Sequence, residues 1–398
     1  MHEDVTKPNT PSRLAVLADE VETRCSGANS WRGARKGEET MSNAHKTSLF
    51  RLVIALAAVL ALGAMAPVMA QESSPAAGEK VTKMAVITPA SMTNLGWDQQ
   101  AVDSMKAVGE KLGIEVLIQE NAGYGDITPA LKDLKDEGAQ LIICHASGYQ
   151  TVCPTFAQQE GVKVAVIENK DAVTPNLISD IETQAQEVAY LAAVAAGKLT
   201  KTGTVAVVVS AEPPTWNYMT VGFAEGLKAT NPNAKLIYSV IGEAAYDDAA
   251  GAKRATEQVL AAGADIVFGM GDGASFGMIE AIREHNEANP DNKAWFIDVI
   301  GDKSKDYSDI LLTSVLFDYT GIYEQMIKDI EAGTFGKVYT MDVKNGGVRL
   351  LDLPDWVPQE VKDAVAAVQK DIVDGKITVS AIGDAEGMKA KLKELGYQ

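Results

Sequence analysis

From Thr82 to Met270 the sequence alternates short runs of β-branched and aliphatic residues with stretches of helical period. Parallel strands cannot be joined by a tight turn and need a crossover, usually a helix, so this alternation confines the chain to βαβ units. Met84–Thr88 reads as a first strand, and Trp97–Leu112 as a helix with Ala101, Met105, Val108 and Leu112 on one face and Gly113 placed to end it. Ile114–Gln119 is a second strand. Asp126 is placed to cap a helix running to Glu137, and the runs 141–144, 164–167 and 177–181 continue the series.

A second series then repeats the first. Val188, Leu191, Ala195 and Leu199 mark a helix face; 205–209 is a wholly apolar strand; 220–229 is a helix ending near Asn231 and Pro232; 236–241, 249–262 and 266–270 follow as strand, helix and strand. The stretch 136–142 (DEGAQLI) has its counterpart 125 positions later at 261–267 (AAGADIV), and the strands starting at Met84 and Val205 lie 121 apart. The expectation is an α/β protein of two Rossmann-like lobes, each a parallel sheet flanked by helices, with a ligand cleft between them. The N-terminal lobe is assigned residues 82–181 plus about 299–320, and the C-terminal lobe 182–298 plus part of 321–398.

The segment ahead of the lobes reads as an export signal. Lys46 and Arg51 form a basic start, 52–66 an apolar stretch shorter than the roughly 20 residues a bilayer span needs, and Val68-Met69-Ala70 a small-x-small cleavage site. The expectation is a signal peptide at 41–70, a flexible leader at 71–81 and a segment 1–40 that stands upstream of the true start. With no cysteine after the apolar stretch, the product is expected free in a periplasm, without a lipid anchor. Cleavage removes eight basic and seven acidic residues from the 36 and 54 of the full chain, leaving 28 and 47, a formal charge of −19. Phosphate backbones are held by Lys and Arg, so nucleic acid is excluded as a partner. Cys144 and Cys153 remain; in an oxidising compartment they can pair, or remain two buried thiols.

Catalytic patterns are missing. His145 and His285 stand apart, and no zinc spacing, phosphate loop or nucleophile elbow occurs, so no metal and no cofactor is expected. His145 fits either a hydrogen-bonded structural residue or a pocket liner. Gly271-Asp272-Gly273-Ala-Ser-Phe-Gly277 follows a strand and precedes a helix, as a dinucleotide turn would, but its spacing departs from GxGxxG and it sits in the second series. Glycines there equally let backbone approach a ligand in a cleft. In open parallel sheets, ligands bind beyond the carboxyl ends of the strands. The candidate contacts are therefore Asn94, Trp97 and Asp98; Tyr124 and Asp126; Ser147 and Tyr149; Glu212, Trp216 and Asn217; Tyr246 and Asp247; Asp272; and Asp298. Aromatic faces suit flat solutes, and carboxylates and amides suit their polar edges.

Gly96-Trp-Asp-Gln-Gln, Ala189-Tyr-Leu-Ala-Ala-Val-Ala-Ala, Val221-Gly-Phe-Ala-Glu-Gly, Gly263-Ala-Asp-Ile-Val-Phe, Leu312-Thr-Ser-Val, Gly346-Gly347 and Asp374-Gly-Lys-Ile occur in an order that resembles the basic-membrane-protein family of ABC-importer receptors. The best-known members are purine nucleoside receptors. The resemblance implies two lobes that clamp a solute, with Trp97 stacked on a purine, Asp98 in the place of an Asn at its edge, and Tyr246 completing a sandwich. Two departures stand out: Ile300 replaces an Asp, and Leu316 and Phe317 stand where a Lys is expected, both positions implied to hold ribose. Asp298 is positioned to replace one of them in part. The functional expectation is a monomeric receptor that captures a small ring-bearing polar solute, a purine base or nucleoside-like, for an ABC permease and its ATPase. A secreted NAD(P) oxidoreductase or hydrolase and a sensory receptor without transport are the rivals.

Overall fold

The structure, a computed structural model, describes residues 78–397. The upstream segment, the signal peptide and most of the leader lie outside the described residues. The leader's end, expected to be flexible, is instead tied down. The Gly78 amide donates to the Glu331 carbonyl at 2.8 Å, and the Val81 amide to Glu331 Oε1 at 3.2 Å.

Five strands arise in the first series: β1 (Lys83–Ile87), β2 (Glu115–Gln119), β3 (Leu141–Cys144), β4 (Lys163–Ile167) and β5 (Ile178–Thr183). The second series supplies β6 (Thr204–Val209), β7 (Lys235–Val240), β8 (Ile266–Met270), β9 (Trp295–Ile300) and β10 (Leu311–Phe317). The tail adds β11 (Val338–Met341) and β12 (Val348–Leu350). They form two six-stranded sheets of matching order, β11-β5-β4-β3-β1-β2 and β12-β10-β9-β8-β6-β7. Among the described residues every strand pairing in the two sheets is parallel except β10 with β12. The inner strands β8 and β10 are buried at every residue, because helices cover both faces, whereas the edge strands β2 and β7 are half exposed.

One boundary differs from the sequence expectation. The sequence reading places residues 299–320 in the N-terminal lobe, but β10 pairs with β9 through Ser314 and Val315, so this stretch closes the second sheet. The chain crosses back only afterwards: the helix Thr320–Glu331 packs on Trp97–Leu112, and β11 joins β5. A further crossing returns it to β12, and the helices Gln359–Val373 and Ala385–Glu394 cover the second lobe.

Helices Ala185–Leu199 and Pro214–Thr230 pack closely at the heart of that lobe. Gly222 makes this possible, since a Cβ there would lie 2.1 Å from the Gln186 carbonyl oxygen. The second helix starts at Pro214, well before the expected Thr220, with Pro213 and Pro214 at its cap and first position. Cys144, at the end of β3, is disulfide-bonded to Cys153 on the helix Val152–Glu160, with Cα atoms 6.6 Å apart. Of the two readings of these cysteines, the paired one holds.

Candidate functional site

In both sheets the strand order reverses at the same place, between β1 and β3 and between β6 and β8. Such a switch point leaves a crevice beyond the strands' carboxyl ends. The two crevices face each other across a cleft of about 420 Å³, counted with its open mouth, whose lining comes from these strand ends. Trp97 follows β1, Tyr124 follows β2, and Ala146, Ser147 and Gly148 follow β3. Pro213, Thr215 and Trp216 follow β6, Tyr246 follows β7 and Asp272 follows β8.

Trp97 is held as a fixed inner wall. Its indole N–H donates to the His145 carbonyl at 3.1 Å, and one ring face stacks on the His145 imidazole at 4.5 Å. Trp216, Phe317 and Tyr319 meet it edge-on. His145 returns a bond to the Trp97 carbonyl at 3.0 Å, and burial pulls its pKa down to about 3, which keeps it neutral. Trp216 is similarly fixed by its N–H on Ser210 Oγ at 3.1 Å. Tyr124 and Tyr246 face each other from opposite lobes, stacked at 5.8 Å. Tyr246 therefore meets Tyr124 across the mouth of the cleft. Tyr124 is the most exposed ring of the four, at 55%.

The polar end of the cleft joins the lobes. Asp272 Oδ1 accepts the Trp97 amide at 3.0 Å, across a gap that Gly96 keeps open: a Cβ there would stand 2.4 Å from that oxygen. The Asn94 amide donates both to Asp98 Oδ2 at 2.8 Å and to Asp272 Oδ1 at 3.1 Å. Asp98 also accepts the Ala90 amide at 3.1 Å. Burial raises the pKa of Asp98, although hydrogen bonds oppose it. Asp272 is raised well above the carboxylate range by burial and then by the charge of Asp98. Two buried carboxyls this close behave as a unit that favours retaining a proton.

Other expected contacts lie elsewhere. Tyr149 is buried with its hydroxyl donating to the Gly123 carbonyl at 2.7 Å, so it braces the Tyr124 loop from beneath. Asp126 accepts the Thr128 amide at 3.0 Å in an exposed turn. Asn217 is in the first turn of its helix and ties down the tail through the Gly383 carbonyl at 2.7 Å. Asp298 sits behind the second lobe's wall, paired with Lys303 at 2.5 Å and accepting Ser275 Oγ at 3.1 Å. Sequence reasoning misses Thr215 and Glu168: the Thr215 hydroxyl donates to Glu168 Oε1 at 2.7 Å, joining the lobes at a second point.

Backbone strain concentrates on this side of the molecule. Five of the six non-glycine residues with positive φ among the described residues, Leu95, Asn121, Glu168, Ala244 and Ile300 (φ 53° to 72°), lie at a strand's carboxyl end or in the loop that follows it, and the sixth, Asn176, precedes β5. A β-branched residue such as Ile300 rarely adopts that region, and such strain persists where the surrounding structure imposes it.

Comparison with known proteins agrees with this architecture. A relative from Lactococcus lactis, an ABC transporter nucleoside-binding protein BmpA, is 26% identical over 353 residues, covering 82% of this chain and 98% of its own. The transcriptional activator protein med of Bacillus subtilis is 23% identical over 73% of this chain and 88% of its own. An ABC transporter solute-binding protein from Aeropyrum pernix superposes with a TM-score of 0.68 at 20% identity, over 79% of this chain and 97% of its own. The sequence profile of the PnrA-like ABC transporter substrate-binding proteins matches residues 81–382. With both its profile and its two-lobed fold accounted for, this chain belongs to the Bmp family of PnrA-like ABC transporter substrate-binding proteins.

Proposed function

We propose that this chain is the exported, periplasmic receptor of an ABC importer, a monomer that captures one small ring-bearing polar solute and hands it to a membrane permease while catalysing nothing. The observation that carries this reading is the aromatic cleft assembled from equivalent strand ends of both lobes. A solute bridging Trp97 and Tyr124 on one lobe with Trp216 and Tyr246 on the other favours the closed arrangement over the open one, because only closure brings all four rings to it. The partner ATPase supplies the energy of transport. The nucleoside-binding relative supports a purine base or nucleoside as the ring, with Ile300 and Phe317 arguing against tight contacts to a ribose.

A thermal-shift screen of nucleobases, nucleosides, aromatic amines, sugars and amino acids tests the reading. Ring-bearing solutes are expected to raise the melting temperature, and Tyr246→Ala to weaken binding about tenfold, as removal of one stacked face should. A shift produced only by ring-free solutes, and unaffected by Tyr246→Ala, would overturn it.

A further inference from the structure

We infer that the solute for which this cleft is shaped is an organic cation: a compact ring system carrying a protonated or quaternary nitrogen, directed at Asp272 within the aromatic walls. This deepens the proposed function and rests on the cleft being the solute site.

Four aromatic rings line the space, and a ring face presents the negative side of its quadrupole to whatever lies over it. Among the described residues, Asp272 is the one charged residue of the lining, Asp98 stands directly behind it, and neither Lys nor Arg contributes to the wall. Lys303, which acts on Asp272 from behind, is buried and already ion-paired with Asp298 at 2.5 Å. The opposite side repeats the pattern. Thr215 leads to Glu168, whose Oε1 also accepts Thr183 Oγ1 at 2.9 Å while Oε2 has no partner among the described residues. Burial pushes Glu168 up to about 7, and burial with the neighbouring Glu182 and Glu168 pushes Asp180 up to about 7.

Buried carboxyls without a counter-ion cost stability. A neutral ring leaves that cost in place, whereas a cation compensates it and gains cation–π contact at the same time. Asp98, joined to Asp272 through the Asn94 amide, puts a second carboxyl at the same point. Cation binding draws the shared proton from the Asp98–Asp272 pair, so affinity rises with pH as the pair ionises. The other groups facing the pair keep their charge state: Tyr124, Tyr149, Tyr246 and Tyr319 are pushed up by burial, and His145 stays neutral.

Calorimetric titrations of the full chain at pH 8 with matched compounds test this: 1-methylnicotinamide against nicotinamide, and 1-methyladenosine against adenosine. The cationic member of each pair is expected to bind at least tenfold more tightly, about 1.4 kcal/mol. Asp272→Asn should shrink that gap, with Asp98→Asn as the second variant, and Tyr246→Leu should weaken both members of a pair, the cationic one at least as much as the neutral one. Protons should be released on binding 1-methylnicotinamide, whose charge does not titrate, read from the dependence of the heat on the buffer's ionisation enthalpy. Equal binding of both members, or a neutral compound preferred, with Tyr246→Leu still weakening it, overturns the cation and leaves the site. Binding indifferent to Asp272→Asn and Tyr246→Leu, or no binding by any compound of these pairs or of the thermal-shift panel, overturns the site reading as well.

Discussion

Replacing Asp98 by Asn isolates the electrostatics that join the lobes. The Asn94 amide nitrogen reaches Asp98 at 2.8 Å and Asp272 at 3.1 Å, so the two carboxylate oxygens stand no more than about 6 Å apart. Two full charges at that separation and an effective dielectric of about 20 repel by roughly 3 kcal/mol. Both carboxyls have raised pKa values in the fold, so the folded chain binds protons that the unfolded chain has already released. Stability from these groups is full at pH values below their unfolded pKa and is lost as pH rises through the folded values. The introduced carboxamide keeps an oxygen for the Ala90 amide and carries no charge to repel Asp272. Urea unfolding of the ligand-free Asp98→Asn variant should therefore differ little from the parent at pH 4.5, and its unfolding free energy should exceed the parent's by about 2 to 3 kcal/mol at pH 8.5. The same difference at both pH values would refute a like-charge pair and leave only altered hydrogen bonding.

Two further outcomes follow from burial and packing. Glu168→Gln should flatten the fall in unfolding free energy as pH rises from about 4.5 to about 7, where the parent can lose up to about 1.4 kcal/mol per pH unit from this one group; matched slopes in parent and variant would contradict it. Gly222→Ala should lower stability by about 1 to 3 kcal/mol, since its new methyl must displace the Gln186 carbonyl 2.1 Å away, and equal denaturation midpoints would show the two helices free to part.

The architecture is legible because periodicity is a backbone property. Valine-rich runs such as 205–209, separated by amphipathic stretches, dictate strands and crossovers wherever they fall. Which sheet a strand enters is decided by partners distant in sequence, and β10, apolar in most of its residues, carries no local mark that it pairs with β9 before the chain crosses. The cleft follows the same division. The rule that ligands bind at strand ends finds Trp97, Tyr124, Trp216, Tyr246 and Asp272. It gives no direction for a side chain, so Tyr149, which turns under its loop, and Asn217, which turns toward the tail, are drawn in with them. Glu168 and Lys303 escape notice because a lone charge after a strand looks like a solvated one until its burial is known.

The central claim, that the two lobes clamp a solute between their aromatic strand ends, is tested most directly by a crystal structure of the chain with the solute that raises its melting temperature most. The account predicts one solute per chain, its ring among Trp97, Tyr124, Trp216 and Tyr246 and its positive nitrogen toward Asp272. A solute bound at full occupancy outside this cleft, with the four rings untouched, would contradict it.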